Sequence, residues 1–312
     1  MVCKDFQGAF APRRELGKTG FIATVLGIGD VADRNVPIET CVNTVVRAIA
    51  AGLNVIDTAP GYENGYSEEI VGRALKGRRD AMFVIDKIDH HDEPIAPQVK
   101  SSLRRLNIET VDLFVIHGLS THDGWQKATA AGGSFDQLDS CRRAGKLRFR
   151  GISSHDPNTL AEAINSGLCD VVLFPVGPAC DERYITTVLP LAREKKVGTV
   201  CFKTFGAGKL LCDTAGYGRP LQTRPRGKLS SGGQDADKPL LPHMSVEECV
   251  HYTLTCDPDV ALLGLSFPNE QDSAFDAALN FRPLSGQRMT EIRTLAARAL
   301  EGKGANWWDP VR

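Results

Sequence analysis

Short apolar runs alternate with longer amphipathic stretches along most of this chain. Thr24–Gly29 reads as a strand. Pro37–Ala51 reads as a helix, because Val42, Val45, Val46 and Ile49 recur at three-to-four spacing and Gly52 stops it. Asn54–Asp57 is the next strand and Ser67–Leu75 the next helix, with Ser67 as expected N-cap and Glu68-Glu69 suited to the positive end of its dipole. The cycle continues with strands at 81–88, 111–117, 147–153, 171–176, 200–204 and 261–266. Helices fall between them at 95–106, 135–144, 158–166, 182–195, 245–255 and 269–278, and a last helix lies near 288–300. Strands such as Val171–Phe174 are apolar throughout, as in parallel sheets covered by helices on both faces.

Eight strand–helix pairs in 312 residues predict an α/β fold, a (β/α)8 TIM barrel forming one domain over 1–312. A doubly wound sheet is the structural rival. It would carry G-x-G-x-x-G after its first strand, and the chain has none there. Two stretches stand outside the alternation. Arg13–Thr24 is expected to be an N-terminal hairpin closing the barrel floor. Residues 211–242 form a long Gly/Pro/Arg/Lys-rich loop after the seventh strand, read either as a surface loop or as a flap over a ligand. Its cations Arg219, Arg224, Arg226 and Lys228 lend slight weight to an anionic ligand.

Composition narrows the class. The chain is 42% hydrophobic and 24% charged with a formal net charge of −1, so no basic excess points to nucleic acid or an anionic membrane surface. No apolar stretch approaches the length of a transmembrane helix. The nine cysteines include no C-x-x-C pair and suit a reducing, cytoplasmic setting. Arg13-Arg14 is followed by a segment too polar for an export signal.

Four polar residues follow apolar runs: Asp57, Tyr62 five residues later, Lys87 and His117. In a TIM barrel the C-terminal strand ends carry the active site, so all four are expected to meet there. Tyrosine is an acid with an ordinary pKa near 10, and a neighbouring ammonium such as Lys87 is expected to lower it. Asp57 would hold Lys87 charged, and His117 would hydrogen-bond the substrate oxygen or relay a proton. Tyr62 could then protonate a carbonyl oxygen as hydride arrives at carbon. Tyr66 competes with Tyr62 for this role.

Longer motifs surround these residues. Asp57-Thr58-Ala59-Pro60-Gly61-Tyr62 with Ser67–Leu75 resembles the aldo-keto reductase signature D-T-A-x-x-Y, S-E, L-G-x-A-L. Ser102–Leu106 with Val111–His117 resembles its second block, and Gly145–Arg148 with Gly151–Ser154 its third. Arg14–Gly20 is similar to the family's N-terminal hairpin. The family's Asp-plus-five spacing selects Tyr62 as the acid. The resemblance implies a nicotinamide cofactor across the barrel mouth, NADP by expectation with NAD as the alternative, and a small carbonyl substrate. It assigns Gly29 and Asp30 to the nicotinamide ribose and Ser153 and Ser154 to the carboxamide. It assigns Lys203, Thr204, Phe205, Gly206 and Gly208 to the pyrophosphate through backbone N–H groups and the lysine. Leu265, Ser266, Asn269 and Gln271 fall at the adenosine end.

The chain departs from the pattern in places. Ser154 replaces an asparagine, and Leu173-Phe174 stand where a carboxamide-binding glutamine is expected. No Lys or Arg lies near 265–271, while Glu270 and Asp272 would repel a 2′-phosphate. Gly118-Leu119 and Asp30-Val31 replace pocket tryptophans, which favours a polar, sugar-like carbonyl. Trp307-Trp308 would cover the pocket or pack outside the barrel, and His155 is a candidate to face substrate. Two rivals stand beside the reductase: a cofactor-binding regulatory subunit on the same fold, and a metal-dependent barrel hydrolase using the scattered His and Asp residues.

Overall fold

The structure, a computed structural model, describes residues 8, 10–211, 242–264, 268–304, 306 and 308–310. The hairpin pairs β1 (Arg13–Glu15) with β2 (Ile22–Thr24) in antiparallel fashion. The eight barrel strands are β3 (Leu26–Ile28), β4 (Val55–Asp57), β5 (Phe83–Ile88), β6 (Val111–Ile116), β7 (Leu147–Ser153), β8 (Val171–Pro175), β9 (Gly198–Phe202) and β10 (Val260–Leu263). They run parallel in chain order, and β10 pairs with β3 to close the barrel. The expected TIM barrel is the observed one.

The period of two along each strand decides what faces inward. Val55, Phe83, Ile85, Leu113, Val115, Val171, Leu173, Val200, Val260 and Leu262 form the interior cluster. The intervening Ile56, Val84, Phe114, Ile116, Val172 and Cys201 belong to the larger cluster beneath the helices. Asp57, Lys87 and His117 continue the inward rows Val55–Asp57, Phe83–Ile85–Lys87 and Leu113–Val115–His117, so register alone aims them at the barrel axis. Leu16 and Ala23 of the hairpin join the interior cluster. A side-chain carbon on Gly17 (φ +52°) would fall 2.2 Å from the backbone N of Gly198, at the start of β9. The hairpin therefore plugs the floor.

The helices that matter for the site are α1 (Ile38–Ala51), α2 (Tyr66–Ala74), α3 (Ile95–Leu106), α4 (His122–Thr129), α5 (Ser134–Arg143), α6 (Pro157–Asn165), α7 (Leu189–Lys195), α8 (Val246–Thr255), α9 (Pro268–Leu279) and α10 (Gly286–Ala299). Three differ from expectation. The N-cap of α2 is Gly65, left-handed at φ +83°, while Ser67 is buried and accepts a 2.9 Å hydrogen bond from Thr58. The expected 182–195 helix splits into a π-type turn (Tyr184–Val188) and α7, where Pro190 has no N–H for the regular ladder. Helix α4 was not expected. Its Gly124 and short polar sequence give little periodicity, but the Thr121 side chain caps it and Trp125 and Ala128 anchor it. Residues 212–241, with Arg219, Arg224, Arg226 and Lys228 of the expected flap, lie outside the described residues.

Candidate active site

At the C-terminal mouth, Lys87 Nζ donates to both Asp57 carboxylate oxygens, at 2.7 and 2.6 Å, and to the Thr58 carbonyl at 2.8 Å. All three ammonium protons thus have acceptors in a buried position. Burial alone would lower the Lys87 pKa, but the Asp57 carboxylate and then Tyr62 outweigh it and raise it. The ammonium sits 4.5 Å from the Tyr62 ring centre. The His117 ring meets Tyr62 edge to face, centres 5.8 Å apart. All four sequence-predicted residues converge.

Tyr62 comes from the turn between β4 and α2, not from a strand. The turn continues through Glu63, Asn64 and Gly65, all left-handed at φ 49°, 53° and 83°. Such conformations are costly for residues with side chains. Arg34 holds the turn by donating to the Glu63 carbonyl at 2.9 and 2.5 Å and to that of Asn64 at 3.3 Å. Tyr66 is set apart from the cluster: its hydroxyl donates to the Val36 carbonyl at 3.2 Å and Arg34 lies over its ring.

The electrostatics correct one expectation. Tyr62 is not made more acidic. Burial pushes its hydroxyl up to about 12, and the opposing pull of the Lys87 ammonium only partly offsets this, while Asp57 and Asp30 add to the rise. Tyr62 is therefore fully protonated at neutral pH, the form required of a proton donor. Burial also pushes His155 down to about 4, with the charges of Lys203 and His117 adding to the effect. His155 stays neutral beside Phe202, ring centres 5.5 Å apart.

Sequence reasoning missed Asp89. It lies two residues beyond Lys87, where the inward row of β5 would continue. It contacts Nδ1 of His117 and accepts a hydrogen bond from Gly61 N–H. That same spacing of two was the available signal.

A model of the Aldo/keto reductase family matches residues 25–256. The chain belongs to the aldo/keto reductase family. It is 26% identical over 221 residues to the NADH-specific methylglyoxal reductase of Escherichia coli (strain K12), covering 62% of this chain and 65% of that protein. It is 28% identical over 228 residues to an NADP(+) aldo-keto reductase of Schizosaccharomyces pombe, covering 67% and 64%. The chain thus spans just under two thirds of these relatives' lengths. A solved aldo-keto reductase from Bacillus halodurans, in its holo form, superimposes with a TM-score of 0.67 at 25% identity, covering 91% of this chain and 96% of that one.

The rest of the aldo/keto reductase mouth fits a dinucleotide unevenly. Gly29 donates its N–H to the Leu263 carbonyl, joining β3 to β10, and Asp30 accepts from Ala32 N–H. The Ser153 hydroxyl makes no hydrogen bond among the described residues, whereas that of Ser154 is engaged with Ser120 and Asp156. In the 203–208 loop the Gly206 and Gly208 N–H groups are committed to the Lys203 and Phe205 carbonyls. Thr204 Oγ1 is buried without a hydrogen-bond partner among the described residues. An unsatisfied buried hydroxyl in this loop suits a polar ligand, and Lys203 stands beside it. Trp308 is fully buried against Lys209 and Lys203 and packs near Gly206, so the tail braces this loop from behind. Trp307 lies outside the described residues.

Leu265 and Ser266 at the adenosine end also lie outside the described residues. Asn269 opens α9. The Gln271 amide is tied to α1, accepting from Arg47 at 2.7 Å and donating to the Thr44 carbonyl at 2.8 Å. Arg47 also pairs with Asp272. A cation absent from the local sequence is therefore supplied from α1, 225 positions away, and it neutralises a carboxylate expected to repel a 2′-phosphate. No helix among the described residues is long and apolar enough to cross a membrane, and no three or more His, Cys, Asp or Glu among them are grouped to hold a metal ion.

Proposed function

We propose that this chain reduces an aldehyde or ketone to an alcohol with NAD(P)H, Tyr62 giving the proton. The contact of the buried Asp57–Lys87 pair with Tyr62 carries the reading. A bound nicotinamide supplies the hydride. Tyr62 enters the reaction protonated, because burial keeps its pKa high. As charge develops on the carbonyl oxygen, Lys87 stabilises the tyrosinate that forms when the proton leaves. Asp57 fixes Lys87 and keeps it charged. His117, edge-on to Tyr62, orients the substrate oxygen. Ser153, Thr204 and Lys203 would hold the cofactor at the carboxamide and pyrophosphate, with Gly29 and Asp30 at the ribose and Asn269 at the adenosine end.

NADP is the expected cofactor and NAD the alternative, and the two relatives' names point one each way. The Arg47–Asp272 pair weakens the repulsion argument against NADP at Asp272 but leaves Glu270 in it. The polar mouth, with Asp30, His117 and His155, suits a small, sugar-like carbonyl. In this reading residues 1–312 act as one barrel domain in a reducing cytoplasm.

The test is Tyr62→Phe assayed with NADPH and a panel of aldehydes by nicotinamide absorbance. Turnover should fall by about 10²–10⁴-fold while cofactor affinity is kept. Wild-type rates in the variant would sink the assignment. Tight cofactor binding by the wild type without turnover of any carbonyl would favour a regulatory subunit instead.

A further inference from the structure

On the outside of the barrel, helices α3 and α5 pack side by side with a groove of about 860 Å³ along them. Helical periodicity builds it. Ala96, Val99, Leu103 and Asn107 recur at three-to-four spacing along α3 and its cap, and Gln137, Cys141 and Ala144 do the same along α5. Val99, Leu103 and Cys141 are buried at its floor, whereas Ala96 and Ala144 are exposed on its walls. From Ala96 to Asn107 the groove runs about 16 Å, at 1.5 Å per helical residue. The charges on its rim are one-sided. Lys100, Arg104 and Lys146 line it and are exposed, and none of their side chains has a hydrogen bond or ion pair among the described residues. Cations around them are already matched: Arg79 and Arg148 pair with Asp112, and Arg142 and Arg150 pair with Asp139. Among the lining residues only the carboxylate of Glu109 opposes the three cations, although the whole chain carries a formal charge of −1.

We propose that this groove is a second binding site, separate from the barrel mouth, for an amphipathic carboxylate of medium chain length. Its alkyl chain lies along Val99 and Leu103 and its head meets Arg104 and Lys146. Arg104 is in the last turn of α3 and Lys146 just precedes β7, so both stand toward the N-terminal ends of the strands. The volume and the mix of an apolar floor with a few polar groups are those of small-molecule sites. Covering the apolar floor drives binding, and the two cations select the charge of the head. A neutral chain gains the apolar part alone, and a cationic one is repelled. The site stands whether or not the mouth is that of a reductase.

The experiment titrates decanoate, decanol and decyltrimethylammonium into the full chain by calorimetry. Decanoate should bind at one site per chain, decanol about ten-fold more weakly, and the cation not at all. Arg104→Gln together with Lys146→Gln should weaken decanoate about ten-fold and leave decanol unchanged. Ala144→Trp, at an exposed position where the new ring fills the groove, should abolish binding of both. The methyl NMR signals of Val99 and Leu103 in the wild type should shift as decanoate is added, which tests the site without any variant. No binding of decanoate, equal affinity for the cation, unshifted methyl signals, or binding unchanged in the variants overturns the proposal. Light scattering that shows a dimer dispersed by Ala144→Trp would mean that a second copy of the chain covers the groove, and would overturn it as well.

Discussion

Lys87 and Asp57 form a two-point ion pair, 2.7 and 2.6 Å, with side chains only 2% and 6% exposed. Breaking a buried pair by removing one partner is costly, because the other charge stays buried without compensation. Lys87→Met should destabilise the protein by about 3–5 kcal/mol at pH 7. Burial already pushes the Asp57 carboxyl up against the pull of Lys87. A carboxyl raised in the folded state is no burden below its unfolded pKa and costs stability as pH rises. The deficit of Lys87→Met should therefore narrow toward pH 4, and adding Asp57→Asn should recover most of it. Urea unfolding at the two pH values checks this; an equal deficit at both would count against it.

Thr204 is expected to separate stability from binding. Its buried hydroxyl lacks a partner among the described residues, and replacing such a group with an apolar isostere is neutral or stabilising. Thr204→Val should stabilise the ligand-free protein by about 1 kcal/mol, raising its midpoint, and weaken NADPH binding about ten-fold. Calorimetry with and without NADPH reads both. A destabilised variant with unchanged affinity would show that the hydroxyl is structural.

His155 predicts an acid sensitivity. Its pKa falls from 6.5 when unfolded to about 4 in the folded protein, so the folded state binds fewer protons between those values. The stability owed to the neutral ring is present above pH 6.5 and is lost as pH falls toward 4. Between pH 7.5 and pH 5, wild type should lose about 2 kcal/mol more than His155→Gln. Parallel thermal unfolding of the two proteins measures the gap, and a gap independent of pH would refute the idea.

Gly151 of β7 pairs with Val171 of β8. A side-chain carbon there would fall 1.8 Å from the Val171 carbonyl oxygen. Gly151→Ala must push the strands apart and should cost about 3 kcal/mol. An unfolding midpoint like that of wild type would mean that the barrel yields here at little cost.

The alternation of apolar runs determined the barrel, because eight short runs buried on both sides have few other ways to be covered by eight helices. The same period of two placed Asp57, Lys87 and His117 on inward rows, so the tetrad was legible before any coordinates. It was not enough for Tyr62 against Tyr66, where spacing within a known family chose, and only the Arg34-held left-handed turn shows why the nearer tyrosine is the one at Lys87. Helix α4 escaped notice because two anchoring side chains leave no periodic trace. Tertiary structure alone decided the environment. Whether Tyr62 is more or less acidic depends on burial winning over a nearby ammonium, and that balance is a property of packing. Arg47 reaching Asp272 and Asp89 reaching His117 are likewise contacts between distant segments, and the physics of a charge is set by what surrounds it, not by its neighbours in the chain.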